Sequence, residues 1–134
     1  MRTKKYPYAI FSIDTDSDVV YVECIKNLKV DITIAKNLVA NRLDFTENKK
    51  HYLIIDISNV SNISAEAKAY LQDKKAGLKN ILGAAFIASN HVSTILATVF
   101  VKTPNAISTL SADKKEAEEW INTLKNNKKS KPRN

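Results

Sequence analysis

The stretch "YLIIDISNVSNISAEAKAYL", residues 52–71, decides the fold. Its first half, "YLIIDI", is an unbroken apolar run of strand length, as a strand covered by helices on both faces requires. From Ser64 the segment "SAEAKAYLQDKKA" carries strong helix formers, an acid in its first turn and lysines toward its end. Ser64 stands where an N-cap belongs, and Gly77 where a left-handed residue closes a helix. A buried strand, a short polar loop and a helix in this order place the strand at the centre of a layered α/β sheet.

Working outward, "YPYAIFSID" predicts a strand over residues 6–13, "TDSD" a turn, and "VVYVECIKN" a second strand that closes an antiparallel hairpin. In "DITIAKNLVANRLDF" the period changes: Ile34, Ala35, Leu38, Val39 and Leu43 share a helical face over about 33–46, with Asp31 or Thr33 as cap. Beyond the central unit, "ILGAAFIAS" reads as a further buried strand, in which Gly83, Ala84 and Ala85 allow a close approach by another element. Val92, Ile95, Leu96, Val99 and Phe100 follow the spacing i, i+3, i+4, i+7, i+8, which predicts a helix despite the β-branched content. Pro104 ends it, "AIST" is a short strand, and "SADKKEAEEWINTL" opens a last helix with Ala117, Trp120, Ile121 and Leu124 as its buried stripe. The order β-β-α-β-α-β-α-β-α predicts a single-domain α/β fold with a mixed, mostly parallel sheet, one antiparallel edge strand and packed helices. Ile54, Ile55, Leu71, Phe86, Leu96, Trp120 and Ile121 are the expected core.

Composition narrows the function. A chain of 134 residues has the size of one domain, and no apolar run approaches the roughly 18 residues of a membrane span. The basic start "MRTKKYPYAIF" is followed by Asp14 and Asp16 without a cleavage pattern, so a cytoplasmic location is expected. Of the 21 basic residues, eight lie at the ends (Arg2, Lys4, Lys5, Lys125, Lys128, Lys129, Lys131, Arg133), leaving 13 against 14 acids between residues 6 and 124. The net charge of +7 therefore belongs to the ends, and no specific nucleic acid is expected as a partner. The domain is predicted over residues 6–125, with basic flexible tails at 1–5 and 126–134.

Cys24, the only cysteine, reads as a buried, inert thiol. His51 and His91 lack partners at zinc-like spacing, so no metal is expected. With Gly77 and Gly83 as the only glycines, no phosphate-cradling loop and no G-x-S-x-G turn exist, which argues against a cofactor and against an enzyme. Asp56, at the end of the central strand, is the best single candidate for chemistry, though acceptance of N–H bonds from Asn59 to Asn62 is the preferred reading of its carboxylate.

The element order and the 52–71 unit resemble the STAS domain of anti-sigma factor antagonists, closest to the uncharacterised bacterial branch called STAS-like or SpoIIAA-like. The resemblance implies a non-enzymatic protein-interaction or regulatory module. In phosphorylatable members an Asp-Ser pair opens the helix after this strand; laid on that pattern, Ser64 takes the Asp position and Ala65 that of the phosphoacceptor serine. A recognition surface is then expected at Ser58, Asn59, Ser61, Asn62, Ser64 and Glu66, for an unknown protein partner or a second copy of the chain. The fold is also similar to the core of CRAL-TRIO lipid-transfer domains, which implies as an alternative a small apolar-ligand or lipid-binding domain.

Overall fold

The computed structural model describes residues 1–102 and 107–130, with side chains through residue 127. Its elements are β1 (Arg2–Lys5), β2 (Ala9–Ile13), β3 (Val19–Cys24), β4 (Leu28–Val30), α1 (Ile32–Phe45), β5 (His51–Asp56), β6 (Val60–Ile63), α2 (Ala65–Leu71), β7 (Ile81–Ile87), α3 (His91–Val101), β8 (Ser108–Ser111) and α4 (Lys114–Ser130). The main sheet has the order β1-β2-β3-β5-β7-β8, and β4 pairs with β6 in a second, two-stranded sheet. β3, β5, β7 and β8 run parallel, while the antiparallel pairings β1–β2 and β2–β3 are confined to one edge. This is the α/β architecture that the sequence predicts, with β5 central between β3 and β7.

The apolar run of β5 is buried on both faces. Tyr52 and Ile54 pack with Ala117 and Ile121 of α4, whereas Leu53 joins Phe11, Val22, Phe45 and Ala84 on the opposite face. Asp113 directly precedes α4, and its carboxylate accepts the Glu116 N–H at 2.9 Å. Ala117 and Ile121 are buried, and Trp120 and Leu124 flank them half-buried. A Cβ at Gly83 would lie 2.7 Å from Leu124 Cδ2, so the missing side chain lets α4 close onto β7. Of the two candidate caps for α1, Asp31 serves: its carboxylate accepts the Ile34 N–H at 2.8 Å.

Several expectations are corrected. Residues 2–5, read as part of a flexible tail, form β1. Strand pairing is a backbone matter and needs no apolar side chain, and this strand is held further by Arg2, which donates to the Phe45 carbonyl at 2.6 Å and lies over the Phe45 ring. Nearby, the Tyr6 hydroxyl donates to the Asp44 carboxylate at 2.7 Å. At the other end α4 continues through Ser130 where a tail from 126 was expected; residues 131–134 and Pro104 lie outside the described residues. The loop after β5 is short, because Val60 and Ile63 are buried and their backbone pairs with Leu28 and Val30 as β6.

α2 stops at Leu71 and does not reach Gly77. The Asp73 carboxylate accepts the Lys75 N–H at 2.7 Å and its carbonyl accepts the N–H groups of Ala76 and Leu78, a run of turns that replaces the helical ladder. Gly77 has no positive φ; it is glycine because a Cβ there would run into the backbone of Leu71. α3 is a helix, as its period predicts, but its face is rotated. Ser93, Ala97 and Phe100 are buried, while Val92, Ile95 and Val99 are 50%, 55% and 37% exposed. Apolar residues on more than one face of this helix leave no unique inward stripe, and the small side chains of Ser93 and Ala97 permit the closest packing. Of the expected core, Ile54 and Ile121 are fully buried, and Ile55, Leu71, Phe86, Leu96 and Trp120 are half-buried.

Candidate functional site

The residues expected to form a recognition surface divide into two groups. Ser58, Asn59, Ser61 and Ser64 are tied into the backbone. The Ser58 hydroxyl accepts the Ser89 N–H at 3.0 Å, Asn59 donates to the Cys24 carbonyl at 3.0 Å, and Ser61 donates to the Leu28 carbonyl at 3.4 Å. Ser64 is the N-cap of α2, its hydroxyl accepting the Ala67 N–H at 3.1 Å. Asn62 and Glu66 are exposed. The Asp56 carboxylate accepts the N–H of Ser58 at 2.9 Å; the donor is therefore Ser58, and the expected bonds from Asn59 to Asn62 are replaced by this single short turn. Ser64→Ala should lower stability by about 1 kcal/mol through loss of the cap, measurable as a shift of the urea midpoint.

A well-formed concavity lies elsewhere. A cavity of about 270 Å³ opens between the α1 face of the sheet and the connection 72–80 that joins α2 to β7. Phe11, Val22, Leu53, Ile55, Ala84 and Phe86 form its sheet wall; Leu38, Val39 and Arg42 of α1 and Leu71, Gly77 and Leu78 form the other walls. It explains why Ile55, Leu71 and Phe86 are only half-buried: each faces the cavity. Lys74 and Ile107, both exposed, mark its open side.

Arg42 sits in this wall at 4% exposure. Its Nη1 lies 3.0 Å from His51 Nε2 and donates to the Lys79 carbonyl at 2.8 Å; its Nη2 donates to the carbonyls of Gly77 at 3.0 Å and Ala76 at 3.4 Å. Among the described residues no carboxylate pairs with it. Burial lowers its pKa to about 10, which leaves it charged at neutral pH. Since a guanidinium can only donate, His51 Nε2 is the acceptor, and Nδ1 carries the proton given to the Lys49 carbonyl at 2.9 Å. The imidazole is thus neutral, its pKa lowered by burial, with the adjacent Arg42 charge acting in the same direction.

That shift fixes a pH dependence. The unfolded chain binds a proton at His51 near the ordinary value of 6.5, and the folded protein resists it. The contribution is complete above this pH and is lost as pH falls from there through the lower, folded value. The melting temperature should decline as pH falls below 6.5, and His51→Gln, which cannot take the proton, should flatten that segment of the curve. A wild-type curve equally flat there would contradict the neutral buried imidazole.

Cys24 is buried and its thiol pushed up to about 12 by burial, with smaller contributions from Asp56 and Glu23, so it is inert at neutral pH. Among the described residues no cluster of three His, Cys, Asp or Glu could hold a metal, and no helix is long and apolar enough to cross a membrane. The sequence reading missed Arg42, His51 and the cavity itself. One signal was present: Arg42 falls three residues after Val39 and seven after Ala35, on the inward stripe of α1.

Comparison with known proteins agrees with this architecture. A family model described as "Domain of unknown function (DUF7793)" matches residues 11–125, and the chain belongs to that family. No curated protein matches the sequence. Among solved structures the chain is similar to an uncharacterized protein from the DUF3478 family with a SpoIIAA-like fold, from Shewanella loihica PV-4. The TM-score is 0.53 at 20% identity, over 84% of this chain and 91% of the other. The fold is SpoIIAA-like, and the resemblance to anti-sigma factor antagonists holds at the level of the fold.

Proposed function

We propose that this DUF7793 chain is a non-enzymatic binding domain that takes a small, largely apolar ligand into the cavity beneath the 72–80 connection. The cavity itself carries the reading: it is lined by aliphatic and aromatic side chains and, at about 270 Å³, lies near the lower end of ligand pockets. Engineered apolar cavities of roughly 150 Å³ already bind benzene. Native mass spectrometry of gently purified protein, with thermal-shift assays against short aliphatic compounds, tests it. A co-purifying ligand or a raised melting temperature is expected, and both should weaken in Val39→Phe, whose larger side chain takes up part of the cavity. Absence of both effects in the wild type would remove the proposal.

A second reading is a regulatory protein-interaction module of a bacterial cytoplasm, working without the family phosphoacceptor, whose place is taken by Ala65. It draws support from the exposed residues Asn62 and Glu66, and from Val92, Ile95 and Val99 on α3, which packs beside β6. The partner is then a protein, a second copy of the chain included. Asn62→Arg and Ile95→Glu should abolish capture of that partner, or the dimer seen by light scattering, with folding kept. If neither variant changes either readout, this reading is lost.

A further inference from the structure

The charges around the cavity name the chemistry of its occupant. Resting on the ligand-binding reading above, we infer that the ligand is an amphipathic monoanion, an aliphatic carboxylic acid whose carboxylate lies at the Arg42 and Lys74 end of the cavity. Among the described residues, the charged ones that line it are these two cations, and neither aspartate nor glutamate lines it. Arg42 is buried, and its terminal N–H groups are spent on three carbonyls and a neutral imidazole. Such acceptors satisfy the donors and leave the charge without a counterion. A carboxylate delivered by the ligand supplies it through charge attraction rather than a new bond from the occupied terminal N–H groups, in low-dielectric surroundings where that attraction is least screened. Lys74 precedes by two residues Ala76, whose carbonyl Arg42 holds, so both cations border the same connection, Lys74 exposed at the open side and Arg42 in the wall. A neutral ligand would leave the buried charge as it is, and a cationic one would add to it.

Size sets the tail. If a methylene fills about the volume of a water in the liquid, roughly 30 Å³, the 270 Å³ hold a chain on the order of nine carbons. The apolar remainder of the lining, Ile55, Leu71 and Phe86 among it, suits such a chain.

Octanoate, octan-1-ol and octylamine share one tail and differ in charge. Titrated calorimetrically into the full chain at neutral pH, octanoate should bind about tenfold tighter than octan-1-ol, and octylamine weakest. Lys74→Gln should reduce the preference for octanoate about threefold. Because replacing Arg42 also disturbs the connection, the second readout uses the unaltered protein: the Arg42 guanidinium resonances should move with octanoate and stay in place with octan-1-ol. Equal affinity for acid and alcohol, or tightest binding of the amine, overturns the inference and leaves the cavity reading standing. Tighter binding of octanoate with unmoved Arg42 resonances overturns the placement. Failure of all three compounds to bind overturns the cavity reading and the inference with it.

Discussion

Gly77→Ala should destabilise the protein by more than about 3 kcal/mol, or prevent its folding, although it adds a single methyl group. The Cβ would fall within the carbonyl and Cα of Leu71, and backbone cannot swing aside as a side-chain tip can. Gly83→Ala is the control. There the new Cβ meets Leu124 Cδ2 at 2.7 Å, the far end of a flexible side chain, and about 1 kcal/mol should suffice. Chemical denaturation of the two variants side by side measures the difference. Equal midpoints would mean that the connection does not press on Leu71.

Arg42→Met should cost about 2–4 kcal/mol. The methionine keeps much of the stem's volume, so packing is largely retained, but the carbonyls of Ala76, Gly77 and Lys79 lose their donor. Each buried acceptor left unsatisfied costs on the order of 1–3 kcal/mol, offset in part by no longer burying a charge. Arg42→Lys should recover only part of the loss, because one ammonium cannot span acceptors that a planar guanidinium forks across. The paired urea midpoints decide it. Wild-type stability in Arg42→Met would show that the connection is held by apolar contacts alone.

What the sequence made legible follows from the strength of local signals. The run "YLIIDI" has no stable home but a doubly covered strand, and β5 is that strand. Ser64 before a string of helix formers could hardly be other than a cap, and it is one. Ala117 and Ile121 repeat at helical spacing against polar neighbours, so their face was unambiguous. The misreadings share a cause as well: tertiary contacts chose among local options of nearly equal merit. "RTKK" gives no hydrophobic pattern, yet pairs with β2 through its backbone and rests Arg2 on Phe45. "QDKKAG" favours helix in isolation, and Asp73 diverts it into turns that meet Arg42. α3, with apolar residues on more than one face, was settled by the small volumes of Ser93 and Ala97. The site was the least legible part. Ser58 and Asn59 looked like exposed loop residues and are structural, whereas the cavity arises from side chains of seven strands, three helices and a connection that no window of sequence brings together.

The Arg42 contacts also bear on the order in which the molecule assembles. They join α1, the first residue of β5 and three carbonyls more than thirty positions downstream of the arginine, so they exist only after both elements are in place. Closing this long loop is an entropic step that the earlier β2–β3 hairpin does not need. The connection therefore belongs to the late part of folding, and loosening Arg42 should speed unfolding far more than it slows folding. The same segment should open in the native protein without parting the central strands from α4, at a local free energy below that of the whole domain. In hydrogen exchange, the amides of Gly77 and Leu78 should then lose protection well before those of Ile54 and Ala85.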